Sequence, residues 1–301
     1  MVISAAFARN LLLGCALLSM ASQAMADETI AVTAIRDAFV REQDAPSNFG
    51  GGGLLCVAGQ DSVNEVEQPR GRFDSVVVFD LTSAVALFDL SFGTQQWVIT
   101  NVELQLAHVV VPDNPLFPRG IGNFQVLWFS EDTWTEGTGS PNAPTQNGGD
   151  EMSWQFLQSL LVTATEGPLG SFLTSGVTGV HVYELALDTN FVTDIAAGGM
   201  VSLHFVPQSA DLGFTLRSRN FGDSAQRPKL LITAARFILG DLNCDTIVDI
   251  QDLEPFVQCL MDPVLYSSLH LGCEPTQADF NDDGSVDGAD IAGFAEALLS
   301  P

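Results

Sequence analysis

Two stretches near the end of this 301-residue chain share one pattern of acidic residues. Residues 241–252 read DLNCDTIVDIQD and residues 279–290 read DFNDDGSVDGAD, so both fit D-x-N-x-D-x-x-V-D-x-x-D at an offset of 38 residues. Four carboxylates packed into so short a loop repel one another unless a cation lies among them. A solvated acidic tail has no reason to repeat this spacing, and the repeat therefore predicts two cation-binding loops.

The spacing is typical of a calcium loop. Calcium is a hard cation that takes about six to eight oxygen ligands, and a loop of about twelve residues supplies them from positions 1, 3, 5, 7, 9 and 12. Position 7 contributes its carbonyl group, and position 9 often acts through water. The first loop places at these positions Asp241, Asn243, Asp245, Ile247, Asp249 and Asp252. The second loop places there Asp279, Asn281, Asp283, Ser285, Asp287 and Asp290. Calcium is therefore the cofactor that the sequence predicts.

An amphipathic helix is predicted after each loop, with an apolar stripe that forms part of a core. In the first repeat the stripe at i, i+3, i+4 and i+7 consists of Leu253, Phe256, Val257 and Leu260. The residues 38 positions later repeat it as Ile291, Phe294, Ala295 and Leu298. Pro255 fits only if the first helix begins near Asp252, which leaves the proline in the first turn.

The two loops differ at position 6, where a calcium loop turns sharply. Gly284 supplies the required backbone freedom in the second loop, whereas Thr246 places a β-branched residue in the first. We therefore expect the first loop to bind calcium more weakly than the second.

Charged residues are distributed unevenly along the chain. Its formal net charge is −26, and a surface this negative repels nucleic acid and anionic lipid, so neither is expected as a partner. No Lys or Arg follows Arg236, while thirteen acidic residues fall between Asp241 and Glu296. We place a domain boundary near residues 237–240, with domains at residues 27–236 and 237–301.

Residues 1–26 have the features of a signal peptide. Arg9 precedes an apolar run, and Ala24-Met25-Ala26 offers the small residues of a cleavage site before Asp27. A lipoprotein cleavage site ending at Cys15 is the alternative. No later segment approaches the roughly 20 apolar residues of a membrane span. We expect a secreted protein, extracellular or at the cell surface, with no transmembrane segment.

Export would permit disulfide bonds. The clustering of cysteines near the C-terminus favours a bridge from Cys244 to Cys273 or to Cys259, and the sequence leaves this choice open. Cys56 lies in an apolar stretch and is expected to be a buried free thiol.

Residues 27–236 are predicted to be mainly β. Segments rich in β-branched and aromatic residues, separated by Gly, Pro, Asn and Asp, lie at 29–33, 75–81, 98–111, 124–129, 180–187, 201–206, 212–217 and 229–234. Helical periodicity is brief, at 152–161 and 190–197. Many strands without βαβ alternation indicate an antiparallel β-sandwich, in the form of a jelly roll, followed by a small α-helical domain. A closed barrel is the structural alternative.

The loop and helix repeats of residues 240–299 resemble the type I dockerin family, in which Asp is accepted at position 12. The resemblance implies an EF-hand-like module that binds calcium and docks onto a cohesin-like receptor, in company with polysaccharide-degrading proteins. Pairing would be set near Ile250-Gln251 and Gly288-Ala289. These two pairs differ, so the two repeats would be imperfectly equivalent in docking.

The β domain is similar to DNRLRE-type modules, which are jelly-roll sandwiches of exported bacterial proteins. The similar segments are IAVTAIRD at 30–37, GRFDSVVVFDL at 71–81, EDTWTEGTG at 131–139 and GFTLRSRN at 213–220. Some relatives bind polysaccharide, and the resemblance implies a polysaccharide ligand here.

Five residues of the β domain are candidates for that ligand, because sugars are bound by aromatic faces and fixed polar side chains. Trp134 and Trp154 flank a polar, glycine-rich loop, and Arg217, Arg219 and Asn220 cluster at the end of a predicted strand. In the alternative interpretation, the two arginines pair with acids such as Asp80 or Asp223 and hold loops together.

Catalytic motifs are missing from the sequence, which has no G-x-S-x-G elbow, no H-E-x-x-H and no Walker loop. The leading hypothesis is a non-catalytic exported protein that binds calcium, docks onto a partner and binds polysaccharide. A polysaccharide-degrading hydrolase or lyase is one alternative, and a purely structural cell-surface or matrix protein is another.

Overall fold

The computed structural model describes residues 27–94, 96–109, 116–117, 120–146, 148–245, 247–270 and 273–299. The predicted signal peptide at residues 1–26 lies outside the described residues. So does Thr246, on which the predicted weakness of the first loop depends. In the described residues the fold is mainly β, as the sequence predicts.

Twelve strands and six α-helices occur in the described part of the chain. The strands are β1 (Glu28–Arg41), β2 (Ser47–Asn48), β3 (Leu54–Ala58), β4 (Phe73–Asp80), β5 (Trp97–Val109), β6 (Ile121–Phe129), β7 (Thr145–Gln146), β8 (Glu166–Ser175), β9 (Gly179–Glu184), β10 (Met200–Pro207), β11 (Gly213–Arg217) and β12 (Lys229–Arg236). The helices are α1 (Thr82–Phe92), α2 (Trp154–Leu160), α3 (Thr189–Ala197), α4 (Leu253–Met261), α5 (Pro263–Leu269) and α6 (Ile291–Leu299).

Ten strands form one sheet in the order β1-β12-β5-β11-β3-β4-β10-β6-β8, with β9 paired to β5, and β2 and β7 form a separate pair. Every pairing between these strands is antiparallel, as expected. Strand β1 changes partner at an irregularity between Ala34 and Arg36, since its first half pairs with β12 and its second half with β4. The pairings therefore form a closed circuit that runs from β1 through β12, β5, β11, β3 and β4 and back to β1.

The main hydrophobic core lies against one face of this sheet. Val201, Leu203 and Phe205 of β10 point into it, while Ser202 and His204 alternate to the opposite face. On that opposite face, α2 and the chain around it cover a second group of buried residues, here called the outer-face cluster: Ala38, Val40, Val76, Val78, Phe129, Trp134, Met152 and Leu157. Both faces of this part of the sheet are therefore buried.

Each of the eight predicted strands overlaps an observed one, and both predicted helices of the β domain are present as α2 and α3. Helix α1 was not predicted, because its sequence is as rich in Val, Leu and Phe as a strand. Its helical spacing is visible in the buried residues Ala84, Phe88 and Phe92. Strand β8 was also missed, since Gly167, Pro168 and Gly170 interrupt it. Among the described strands it pairs only with β6, and an edge strand tolerates proline.

After residue 236 the described elements are helices and short 3₁₀ turns. Helix α4 begins one residue after Asp252, so Pro255 lies in its first turn as predicted. Phe256 and Phe294 stack with ring centroids 4.0 Å apart and are both buried. No helix of the described residues is long and apolar enough to cross a membrane.

Only half of the residues predicted to form the apolar core stripe are part of a core. Phe256, Leu260, Phe294 and Leu298 belong to the core of this region. The other half remains exposed, namely Leu253, Val257, Ile291 and Ala295. The reason is the width of the stripe, since two short helices packed against each other cover only the sides that face each other.

A charged network lies on the outer face of the sheet, beside the outer-face cluster. The Nδ1 atom of buried His204 is 2.6 Å from Oε1 of Glu166, and its Nε2 atom is 3.4 Å from Oδ2 of Asp74. Arg72 donates two hydrogen bonds to Asp74, at 2.9 and 2.8 Å. Burial by itself would lower the pKa of His204, but the bonds to Asp74 and Glu166 outweigh burial and raise it to about 9.

We expect His204→Gln to reduce the pH dependence of stability between about 6.5 and 9. The pKa of His204 is above its ordinary value of 6.5 in the folded protein, so the protonated ring stabilises the fold. This contribution is complete below pH 6.5 and is lost as the pH rises through 9, and it is on the order of 3 kcal/mol. Urea unfolding of residues 27–301 across this range measures it.

The matched control is His181→Gln on β9, whose ring bonds only the carbonyl of Val177 among the described residues. This variant is expected to keep the pH dependence of the parent protein. Equal pH dependence in the parent and in His204→Gln would contradict the assignment.

Candidate metal-binding loops

The two acidic loops close in the same way, on the side chain at position 12. In each loop the N–H groups of positions 2 and 3 donate to Oδ1 of this aspartate, and the N–H of position 9 donates to Oδ2. The distances are 2.7, 3.0 and 2.8 Å to Asp252 in the first loop. They are 2.7, 3.2 and 2.9 Å to Asp290 in the second. Both carboxylates are fully buried, and these donors compensate the loss of water.

The side chains at positions 1, 3 and 5 also converge in both loops. The N–H of position 5 donates to side-chain oxygens of positions 1 and 3, at 3.0 and 2.9 Å in the first loop and at 3.3 and 3.0 Å in the second. The amide nitrogen at position 3 donates to the carboxylate at position 5, at 3.1 and 2.9 Å respectively. The offset of 38 residues in sequence is therefore an offset between equivalent structures.

The backbone repeats as well. Position 4 has a left-handed conformation in both loops, with φ of 57° at Cys244 and 55° at Asp282. In the second loop Gly284 follows with φ of 81°, and its N–H donates to Oδ2 of Asp279 at 2.9 Å. The left-handed turn that the sequence assigned to Gly284 is thus present.

The chemistry of these side chains fits a calcium ion. Within the described residues, no three His, Cys, Asp or Glu side chains form a preassembled metal group. The loop carboxylates accept backbone N–H groups instead. All the side chains at positions 1, 3, 5, 9 and 12 nevertheless offer oxygen, and no Lys or Arg follows Arg236 to balance their charge. A hard divalent cation is the ligand that such a set favours.

The disulfide bond joins Cys244 to Cys273, with a Cα–Cα distance of 5.9 Å, and so decides between the two pairings that the sequence left open. Cys259 is a buried free thiol. Cys56 is also free and buried, as predicted, and burial raises the pKa of its thiol.

The two candidate tryptophans of the β domain differ in how far their rings are covered. Trp134 is fully buried in the outer-face cluster, with the guanidinium of Arg36 5.5 Å from its ring centroid, so it presents no face to a sugar. Trp154 is half-buried, with Arg72 5.5 Å from its ring centroid. The sequence suggested exposed tryptophans because their neighbours are polar, whereas the chain turns Trp134 inward.

The candidates at the end of β11 are tied to other loops. Arg219 Nε donates to Oε2 of Glu136 at 2.5 Å, and the side-chain amide of Asn220 donates to the same carboxylate. The guanidinium of Arg217 lies 4.0 Å from the ring centroid of Phe221. Arg219 therefore pairs with an acid and holds loops together, as the alternative interpretation predicts. The acid is Glu136 rather than Asp80 or Asp223.

Sequence reasoning missed Asp37, which belongs to this group. Its Oδ2 accepts the N–H of Arg219 at 2.6 Å. Burial raises the pKa of Asp37 to about 8, and the negative charge of Glu136 adds to this effect. No local pattern marks Asp37 in the sequence, because it directly follows Arg36 in its strand and is one of 37 acidic residues.

We expect Asp283→Asn to weaken calcium binding to the second loop by more than about tenfold, the loss typical of removing even an indirect contact to a metal. Calorimetric titration of residues 27–301 with calcium, together with helicity from circular dichroism, measures the effect. Asp282→Asn is the matched control, since it removes the same charge from the neighbouring exposed residue at position 4, which supplies no ligand. Equal losses in the two variants, or no calcium uptake by the parent, would contradict the assignment.

No model of a known protein family matches this chain, and no curated protein matches it. The resemblances to dockerins and to DNRLRE-type modules therefore depend on the motifs quoted above.

Proposed function

We propose that this protein is an exported, non-catalytic binding protein with two domains. Its C-terminal residues 237–301 form a small α-helical, dockerin-like domain, which binds calcium and docks onto a cohesin-like receptor. Its residues 27–236 form a jelly-roll sandwich that binds polysaccharide. Calcium has an ordering role in this proposal, because it neutralises carboxylates that otherwise repel one another.

The observation that carries the docking proposal is a pair of exposed apolar rows at equivalent positions of the two repeats. Helix α4 leaves Leu253, Val257 and Met261 exposed by 43%, 49% and 81%. The residues 38 positions later on α6 are Ile291 and Leu299, exposed by 52% and 83%, with exposed Ala295 between them. Spacing of four residues places each row along one side of its helix.

Exposed apolar rows of this kind favour a protein partner. Apolar side chains on a soluble protein are usually scattered singly, whereas contiguous groups mark sites of interaction. Duplication strengthens the argument, since the row follows the same repeat as the loops and the buried phenylalanines. The surroundings are acidic, with Glu254, Asp262 and Glu296 on or beside these helices. The expected receptor surface is therefore apolar at its centre and positively charged at its rim.

The sandwich assignment is supported by the change of partner in β1. Strands that pass from one sheet to the other at an irregularity form the corners of sandwiches. Within the described residues, β3 and β4 share a single paired position, Ala58 with Phe73. A narrow contact of this kind at one point of the circuit favours a flattened sandwich over an evenly closed barrel.

Polysaccharide binding is supported by the DNRLRE resemblance and by what remains accessible among the five candidates. Asn220 is exposed, and Trp154, Arg217 and Arg219 are half-buried. Arg72, which contacts the Trp154 ring, is itself held by two hydrogen bonds to Asp74, and this contact restrains the orientation of the tryptophan ring. We place the sugar site nearest Trp154.

We expect Val257→Asp combined with Ala295→Asp to abolish calcium-dependent binding to cohesin-like receptors. Each substitution places a charge in the middle of one apolar row, and either row alone can still support partial binding. Biolayer interferometry against a panel of cohesin modules, with calcium and with chelator, measures the effect.

The matched control is Val182→Asp on β9, because Val182 is also 49% exposed but lies in the β domain. It is expected to bind like the parent. Equal damage from Val182→Asp, or no receptor bound in calcium, would contradict docking and favour a purely structural role.

We expect residues 27–301 to be retained on a glycan array, and Trp154→Ala to lose most of this binding. Trp154→Phe keeps an aromatic face and is expected to restore part of it. Loss of binding in both variants alike would point to a packing defect rather than to stacking. No retained glycan would contradict polysaccharide binding, and release of reducing ends from a polysaccharide would establish the hydrolase or lyase alternative.

A further inference from the structure

Gln277 lies between the two acidic loops and belongs to neither. It is in the 3₁₀ turn Pro275–Ala278, which ends directly before Asp279, the first residue of the second loop. Its side chain is only 5% exposed, although it is polar. A buried amide of this kind is placed by its hydrogen bonds, and its partners therefore define its role.

Among the described residues, the hydrogen-bond partners of the Gln277 side chain lie at or just before the start of the first loop, or directly before its own turn. Its Nε2 atom donates to the carbonyl of Asp241 at 2.9 Å and to that of Ile238 at 3.3 Å. Its Oε1 atom accepts the N–H of Glu274 at 2.9 Å. Its own carbonyl accepts the N–H of Gly240 at 2.8 Å. These hydrogen bonds connect the turn before the second loop to Asp241, which is position 1 of the first loop.

The disulfide bond makes a second connection over the same short segment. Cys244 is position 4 of the first loop, and its partner Cys273 is buried in the helical core four residues before Gln277. The Sγ atom of Cys244 lies 3.7 Å from Oε1 of Gln277. Two residues of the first loop, Asp241 and Cys244, are therefore held against the segment that leads into Asp279.

We propose that Gln277 is a positioning residue that couples calcium binding at the two loops. This inference depends on the proposed binding of calcium. A cation in the second loop fixes Asp279. Because the turn that ends at Asp279 also holds the carbonyl of Asp241, the first loop is already partly ordered and loses less conformational entropy when it binds calcium. The coupling is reciprocal, because each site must favour the other by the same factor.

The coupling is measured by disabling one loop at a time in residues 27–301, under non-reducing conditions that keep the disulfide bond. Asp283→Asn leaves only the first loop, and Asp245→Asn leaves only the second. We expect each remaining loop to bind calcium at least about fivefold more weakly than the same loop does in the parent. The Gln277→Met substitution keeps the volume of the side chain and removes its hydrogen bonds. In this background we expect the ratio of the calcium dissociation constants, one-loop variant over parent, to fall to about one, the value for independent sites.

Gln258→Met is the matched control. Gln258 is another glutamine of this region and is half-buried, and its Oε1 atom is 2.9 Å from Nε2 of His270, outside both loops. We expect it to preserve the ratio. A ratio of one in the parent, an unchanged ratio in Gln277→Met, or an equal fall in Gln258→Met would overturn the coupling while leaving calcium binding intact. A parent that takes up no calcium would overturn the proposed function, and the coupling with it.

Discussion

A buried carboxylate at position 12 of each loop organises the C-terminal region. Asp252 and Asp290 have no access to water, and a buried charge is tolerated only where donors surround it. Each therefore gathers three N–H groups from the start and the end of its own loop, directly before a helix. The other carboxylates of the loop are drawn together by the same closure. Their mutual repulsion is what a bound cation would relieve.

Buried charge also shapes the β domain, where it fastens the segment that covers the outer-face cluster. Arg36 donates to the carbonyls of Asp132 and Trp134, each at 2.7 Å, and Arg219 bonds Glu136. Arg36 on β1 holds the covering chain by its backbone, and Arg219 holds it through the side-chain carboxylate of Glu136. Trp134 lies inward in the outer-face cluster and is not exposed on a ligand loop.

Prediction succeeded where periodicity was uninterrupted. The strands from Lys229–Arg236 and Met200–Pro207 alternate or run apolar without a break, and their existence follows from composition. The prediction missed helix α1 because a helix with several Leu and Phe residues packed against a sheet has a local composition close to that of a strand. In the candidate sites, the loop residues were found by spacing. Asp37 and Glu136 were not, since 37 acidic residues offer no local signal that selects two.

The local sequence accounts for the loops, because every hydrogen bond that closes them joins residues at most ten positions apart. The same residues at the same spacing make the same local contacts. The hydrogen-bond distances and φ angles of the first loop therefore recur 38 residues later in the second. Tertiary structure alone decided which half of each apolar stripe is buried, which cysteine pairs with Cys244, and which acid meets Arg219, 83 positions away. These choices depend on how distant segments are brought together, and no local pattern records that arrangement.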